Sequence, residues 1–307
     1  MAIQKQVWAK DIAEQLFPSD SFMVQGINDD SWVENKTVNL NQSGALPGVK
    51  RNRTTVPATI TQRTDVSPNY DLHEHTTDPT LIRDIEEVEV NYNKRQSVLR
   101  LHVASLNLDC ANWMQYYWGA SESENIIRTS GANTDAVVAG ATGTRKKLTI
   151  DDLVKAKSLM DDMDVPANGR YMLLPAYMYN NLIIDEKELL MNLEFSGRAR
   201  IQDGEIMKVL GFNLFKRGKK NLLTYSNAAT PVKRTPDATT GATTANSAAI
   251  FWHKDFVRRA KGAVKVFADI DEAAYYGSIF SSLARTGGRI DRSDETGVGV
   301  IVESAGA

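Results

Sequence analysis

LTIDDLVKAKSLMDDMDVPANGRYMLLPAYMYNNLIID, residues 148–185, reads as helix, turn, buried strand and helix. Thr149 is placed to cap the first helix, with Asp151 and Asp152 at its positive end. Ile150, Leu153, Val154, Ala156, Leu159, Met160 and Met163 give that helix an apolar side. Asp161, Asp162 and Asp164 crowd its far end, where carboxylates oppose the dipole. They lack the glycine and terminal glutamate of a calcium loop and read as a solvated helix end. Arg170–Leu174 is a short buried strand, and Pro175 suits the first position of the next helix. Downstream, EIMKVLGFNLFKRG and NLLTYS read as strand, turn and strand. The Thr/Ala/Pro-rich stretch over 226–249 has no apolar period and reads as an exposed loop. AAIFWHKDFV, AVKVFADI, YYGSIFSSLA and GVGVIVE then close the chain with β-type segments.

Upstream, Leu99, Val103, Leu106, Cys110, Trp113 and Tyr117 step by three or four, and Gly119 is a stop. A helix over 91–118 would be roughly 40 Å long, far above the mean. Before it, residues 43–79 carry four prolines, many threonines and Lys50, Arg51, Arg53 and Arg63. Within Thr54–Thr64, β-favouring throughout, Val56 and Ile60 are the only large apolar residues. Such a connection has nothing to bury, and an extended hairpin reaching away from the body fits it. A lone hairpin is marginal in water, so it would need a partner surface. SWVENKTVNL reads as a strand, and Trp8, Ile12 and Leu16 form the apolar stripe of an N-terminal helix that Pro18 ends.

Hydrophobic residues make up 42% of the 307 and charged residues 24%, which excludes a wholly disordered chain. No apolar run is long enough to span a bilayer, and the charged start does not read as a signal peptide. Cys110 is the only cysteine, so neither an intrachain disulfide nor a cysteine-built zinc site can form. A net charge of −2 argues against neutralising nucleic acid over the whole surface. Basic clusters at 50–53, 145–147, 216–220, 233–234 and 258–261 are interrupted by acidic stretches. His73 and His75 share a strand face, but no third metal ligand is evident. Residues 140–147 lack the spacing of a phosphate loop. His102 and Cys110 lie two helical turns apart, too far for a nucleophile–base pair. No catalytic constellation, cofactor or metal site emerges, and the chain reads as a non-enzyme.

The order of these pieces resembles the major capsid proteins of tailed bacteriophages, the HK97-fold family. The closest stretches are residues 148–185, LGFNLFKRG and AAIFWHKDFVRRAKGAVKVFADID. The resemblance implies an α+β, HK97-like capsid fold with N-terminal arm, extended β-hairpin (E-loop), long spine helix in a peripheral (P) domain, and a mixed α/β axial (A) domain. The implied boundaries are 1–44 for the arm and leading strand and 45–80 for the hairpin. The peripheral domain takes 81–147 and 262–307; the axial domain takes 148–261, with its loop at 226–249. The implied function is self-assembly into the icosahedral or prolate shell that encloses a phage dsDNA genome. Partners would be other copies, as hexamers and pentamers, with a separate scaffolding protein, portal and decoration proteins. The packaged DNA would be held without sequence-specific binding, and no membrane is involved. The protein would be assembled in the host bacterial cytoplasm and reside in the virion. Trp8, Lys50, Arg51, Arg53 and Arg63 are the expected intersubunit contacts, with Asp84–Glu89 and Asp161–Asp164 as acidic counterparts. A nucleic-acid-binding protein and a soluble α/β hydrolase are the alternatives.

Overall fold

The computed structural model describes residues 21–40, 69–83, 94–185, 199–200, 205–206, 208–218, 222–238 and 242–306, with 49, 51–54, 56–57 and 60 between them. The expected N-terminal helix and most of the hairpin, residues 43–68, lie outside the described residues.

The chain starts with short strands β1 (Ile27–Asn28), β2 (Val33–Glu34), β3 (Thr37–Asn39), β4 (Asn69–Asp71), β5 (His73–Thr76) and β6 (Thr80–Arg83). Helix α1 (Lys94–Trp118) follows, then β7 (Ile126–Arg128), β8 (Asn133–Asp135) and β9 (Thr144–Lys146). The stretch α2 (Ile150–Asp162), β10 (Arg170–Pro175) and α3 (Ala176–Asp185) keeps the expected order. Next come β11 (Ala199–Arg200), β12 (Glu205–Ile206), β13 (Lys208–Val209), β14 (Phe212–Arg217), β15 (Leu223–Tyr225) and β16 (Lys233–Arg234). Four strands finish the chain: β17 (Asn246–His253), β18 (Val257–Glu272), β19 (Gly277–Ile290) and β20 (Val298–Val302).

Two sheets organise these elements. One has the order β1-β18-β19-β5, with β6 also on β19; the other runs β13-β14-β10-β17-β15-β16, with β20 joining β17 to β7. In the larger sheet β10 runs parallel to β14 and antiparallel to β17. All eight residues of β17 are buried, so both faces must be covered. Ala248, Ile250 and Trp252 point to one core with Trp118, Tyr225 and Val300. Ala249 and Phe251 point to the other, with Leu153, Ala156 and Met160 of α2 and Met178 and Leu182 of α3. Alternate strand residues therefore serve two cores, as the two-residue period requires.

The α2 cap works through Asp152 more than through Thr149. The buried Asp152 carboxylate accepts from Ser130 N (3.0 Å), Ser130 Oγ (2.8 Å), Thr149 N (3.2 Å), Thr149 Oγ1 (3.0 Å) and Lys155 Nζ (3.0 Å). Burial pushes this carboxyl up, but hydrogen bonds from Ser130, Lys155 and Thr149 outweigh it and hold it below the usual range. Its contribution to stability is present above the unfolded-state pKa and is lost as pH falls through the lower folded value.

Helix α1 spans 25 residues, about 37 Å. Its buried side is Val98, His102, Val103, Leu106, Cys110, Met114 and Trp118. The expected stripe was rotated: Leu99, Trp113 and Tyr117 are only half-buried. The cause is that α1 serves both sheets. Val103, Leu106 and Cys110 meet Val266 and Ala284 of the smaller sheet, while Met114 and Trp118 enter the core of the larger one. Trp113 and Tyr117 instead lie beside His73, with ring centroids 6.3 and 5.7 Å from it. His102 Nδ1 lies 2.6 Å from Thr77 Oγ1 and Nε2 3.0 Å from Thr80 Oγ1, one nitrogen donating and the other accepting in the neutral ring that burial favours. Burial also pushes the Cys110 thiol up to about 12, which leaves it a packing group.

Four expected boundaries need correction. Residues 69–80 belong to the body: β4 pairs with β3, and β5 pairs with β19, with Leu72 and His75 each 4% exposed. Residues 262–307 do not stay together, because β19 lies in the smaller sheet and β20 in the larger. The loop expected over 226–249 ends early, since Asn246–Ala249 are buried in β17 against β15 and β20. Pro175 is the last residue of β10, not the first of α3. Each error has one source, pairing with strands far away in sequence.

Candidate assembly surface

Among the expected contact residues, Arg51 and Arg53 are exposed; Trp8, Lys50 and Arg63 lie outside the described residues. Beside the arginines, Val49, Val56 and Ile60 are 94, 81 and 95% exposed. Single exposed apolar side chains are ordinary, and here three lie on one stretch with two exposed cations among them.

Other apolar groups reach solvent from the body. Leu101 and Leu108 lie seven positions apart on the outer side of α1, 65 and 46% exposed. The antiparallel pair β18–β19 carries Phe267 on its open face and Tyr275 and Tyr276 at its turn. The opposite face of this sheet is closed by α1, so Val266 and Ala268 are buried while Phe267 between them is not. Sequence reasoning missed these groups. The signal for Leu101 and Leu108 was present, because both fall off the apolar stripe among Arg100 and Asn107.

The acidic stretch proposed to meet the hairpin is partly committed elsewhere. Asp161 is paired with Lys157 at 2.6 Å and with Arg170 at 2.7 Å, both in its own chain. Hydrogen bonds from Lys157 and Arg170 hold its carboxyl below the usual range and offset the unfavourable helix dipole. Asp162 and Asp164 remain exposed; 84–90 lie outside the described residues. Arg170 is buried and also donates to the carbonyls of Pro166 and Val165, which fixes the turn before β10.

The remaining motifs resolve into packing. His75 is buried, donating Nδ1–H to Asp109 Oδ2 at 2.6 Å, with Nε2 2.9 Å from Thr286 Oγ1. Among the described residues no group of three His, Cys, Asp or Glu side chains could hold a metal. Residues 140–147 form a turn into β9, and buried Arg145 donates to the carbonyls of Thr142, Thr144 and Ala245. No described helix is long and apolar enough to cross a membrane.

Comparison with known proteins matches residues 116–302, more than half of the chain, to the family described as phage capsid protein. The chain belongs to that family. The matched residues run from the last turn of α1 through β20 and so include every strand of the larger sheet. The capsid of the cyanophage P-SCSP1u superposes with a TM-score of 0.64 at 19% identity, covering 95% of this chain and 90% of that one. The capsid of Ralstonia phage GP4 gives 0.64 at 13% identity, over 96% and 91%. A virus-like particle from Pyrococcus furiosus gives 0.53 at 10% identity, over 97% and 98%. At these identities the likeness carries the fold, an α+β, HK97-like capsid fold. No curated protein matches the capsid chain in sequence.

Proposed function

We propose that this capsid protein is the major shell-forming subunit, assembling through many contacts between copies into hexamers and pentamers. These would close into an icosahedral or prolate shell around a phage dsDNA genome. In this reading the smaller sheet with α1 is the peripheral domain, the larger sheet with α2 and α3 the axial domain, and the hairpin the E-loop. A separate scaffolding protein, portal and decoration proteins would complete the particle, assembled in the host bacterial cytoplasm. The observation that carries the reading is the exposed stretch with Val49, Val56 and Ile60 beside Arg51 and Arg53. A shell repeats such a contact at every subunit, so a weak interaction is used many times.

Lys50, Arg51, Arg53 and Arg63 would give that contact an electrostatic part. Each exposed pair contributes only about 0.2–1 kcal/mol, but the loss recurs around the shell. Reversing Arg51 and Arg53 to glutamate lowers the yield of megadalton particles in sedimentation while the subunit stays folded. The defect is larger at low salt, where repulsion is least screened. Native yield at every ionic strength would remove these arginines from the interface.

A further inference from the structure

The outer ridge of α1 runs between two grooves. Leu101, Ala104, Ser105 and Leu108 are all exposed on it. At roughly 100° per residue Leu101 and Leu108 fall within about 20° of one line. One flank, about 80° round from that line, is acidic. There a groove of about 380 Å³ lies between α1 and the segment joining β5 to β6, and Asp78, Ser105 and Asp109 line it. Asp78 is exposed, and Asp109 is 45% exposed although its Oδ2 meets His75. The opposite flank is basic. Its groove, of about 360 Å³, lies between α1 and β14 and is lined by Ala104, Ala111, Phe215, Lys216 and Arg217. Arg100 is exposed on this second flank, about 100° from Leu101. Arg217 donates from Nη2 to Asn112 Oδ1 at 3.0 Å, which fixes its height along α1 one turn beyond Asp109.

An apolar ridge with acid on one side and base on the other is complementary to itself in one orientation. Turning a second copy about an axis parallel to α1 keeps the two helices parallel and lays its basic flank on the acidic flank of the first. Turning it about an axis across α1 makes the helices antiparallel and sets acid on acid and base on base. Charge therefore selects the parallel pair. A twofold contact is isologous, so each ridge residue meets its own counterpart on the axis. Leucines seven positions apart, with a small alanine three after the first, have the spacing of a parallel helical seam. The heights agree as well, because one turn separates Asp109 from the residue that holds Arg217. Two leucines per copy fall short of a stable dimer, which buries on the order of 1,200 Å² or more, so the contact is a weak one that acts with others.

We propose that the outer ridge of α1 forms a twofold contact with a second copy, Leu101 and Leu108 meeting their own counterparts and the Asp78–Asp109 flank meeting Arg217 and Lys216. The contact rests on the reading of this chain as a shell subunit and names one of its interfaces. The test is disulfide trapping on the full chain under mild oxidation. Leu101→Cys and Leu108→Cys are made singly, with Val154→Cys, an equally exposed site on α2, as the reference. Cys110 is buried and supplies no competing thiol. Each α1 variant links to its own kind about tenfold faster than the reference, because pairing raises the local thiol concentration. Adding Asp78→Lys to Leu108→Cys slows that linking about twofold to fivefold, the range of an exposed ion pair, and more so at low salt. Linking at the reference rate overturns the contact. Linking only when the two α1 variants are mixed makes the helices antiparallel and overturns the assignment, and a rate untouched by Asp78→Lys overturns the pairing of the flanks. A Leu108→Cys thiol that is shielded in particles yet never links puts a different surface on the ridge and overturns it too. Particles seen by electron microscopy with linking at the reference rate would leave the shell reading standing and remove this contact alone.

Discussion

Trp118→Ala lowers the stability of the subunit by about 3–5 kcal/mol, the largest loss expected from any single side chain here. The indole is fully buried at the end of α1. Its ring centroid lies 5.4 Å from that of Trp252 in β17 and 6.0 Å from that of Phe22, while Nε1 donates to Arg258 O of β18 at 3.0 Å. One side chain therefore joins the two sheets. Gly288 allows the close approach, because a Cβ there would stand 2.6 Å from Met114 Sδ and 3.3 Å from Trp118 Nε1. Alanine removes the rings' contacts, opens a cavity between the sheets and leaves the Arg258 carbonyl without its donor. Trp118→Phe keeps much of the volume and loses the hydrogen bond, so its cost should be clearly smaller. Denaturant unfolding of both variants measures this. A loss below about 1 kcal/mol for alanine would place the joint elsewhere.

Replacing residues 46–66 with a short Gly/Ser linker abolishes shells and leaves the subunit close to native stability. Val49, Val56 and Ile60 bury almost nothing in the isolated chain, and changing loop length costs little entropy. Extending the replacement to residue 78 has a different outcome. It deletes Leu72, which packs with Val38 and Ala260, and His75, which bonds to Asp109 and Thr286. It also strips β5 from β19 along four paired positions. The longer replacement should unfold the edge of the smaller sheet, and the shorter one should not. Circular dichroism and sedimentation of the two variants separate folding from assembly. Shells from the shorter variant would take the hairpin out of the interface.

What could be read from sequence alone follows the range of the interactions. α2, β10 and α3 were legible because their signals are local: a cap at Thr149, an apolar period, an apolar strand and Pro175 at the strand–helix junction. The length of α1 was legible for the same reason. Its buried side was not, because Met114 and Trp118 answer to a sheet whose strands run from β7 to β20, most of them far later in the chain. The ends of the hairpin, the split between β19 and β20 and the burial of Asn246–Ala249 all depend on such distant pairing. Buried Arg145 read as a member of a basic cluster in sequence, since the Ala245 carbonyl that it reaches comes from a distant part of the chain.

Electron microscopy of the purified chain, alone and with a scaffold partner, tests the central claim most directly. The account predicts closed shells of regular size, with density for α1 and both sheets in every subunit and the hairpin lying on a neighbouring copy. A folded chain that remains monomeric at every concentration and ionic strength, with its hairpin ordered against its own body, would contradict it.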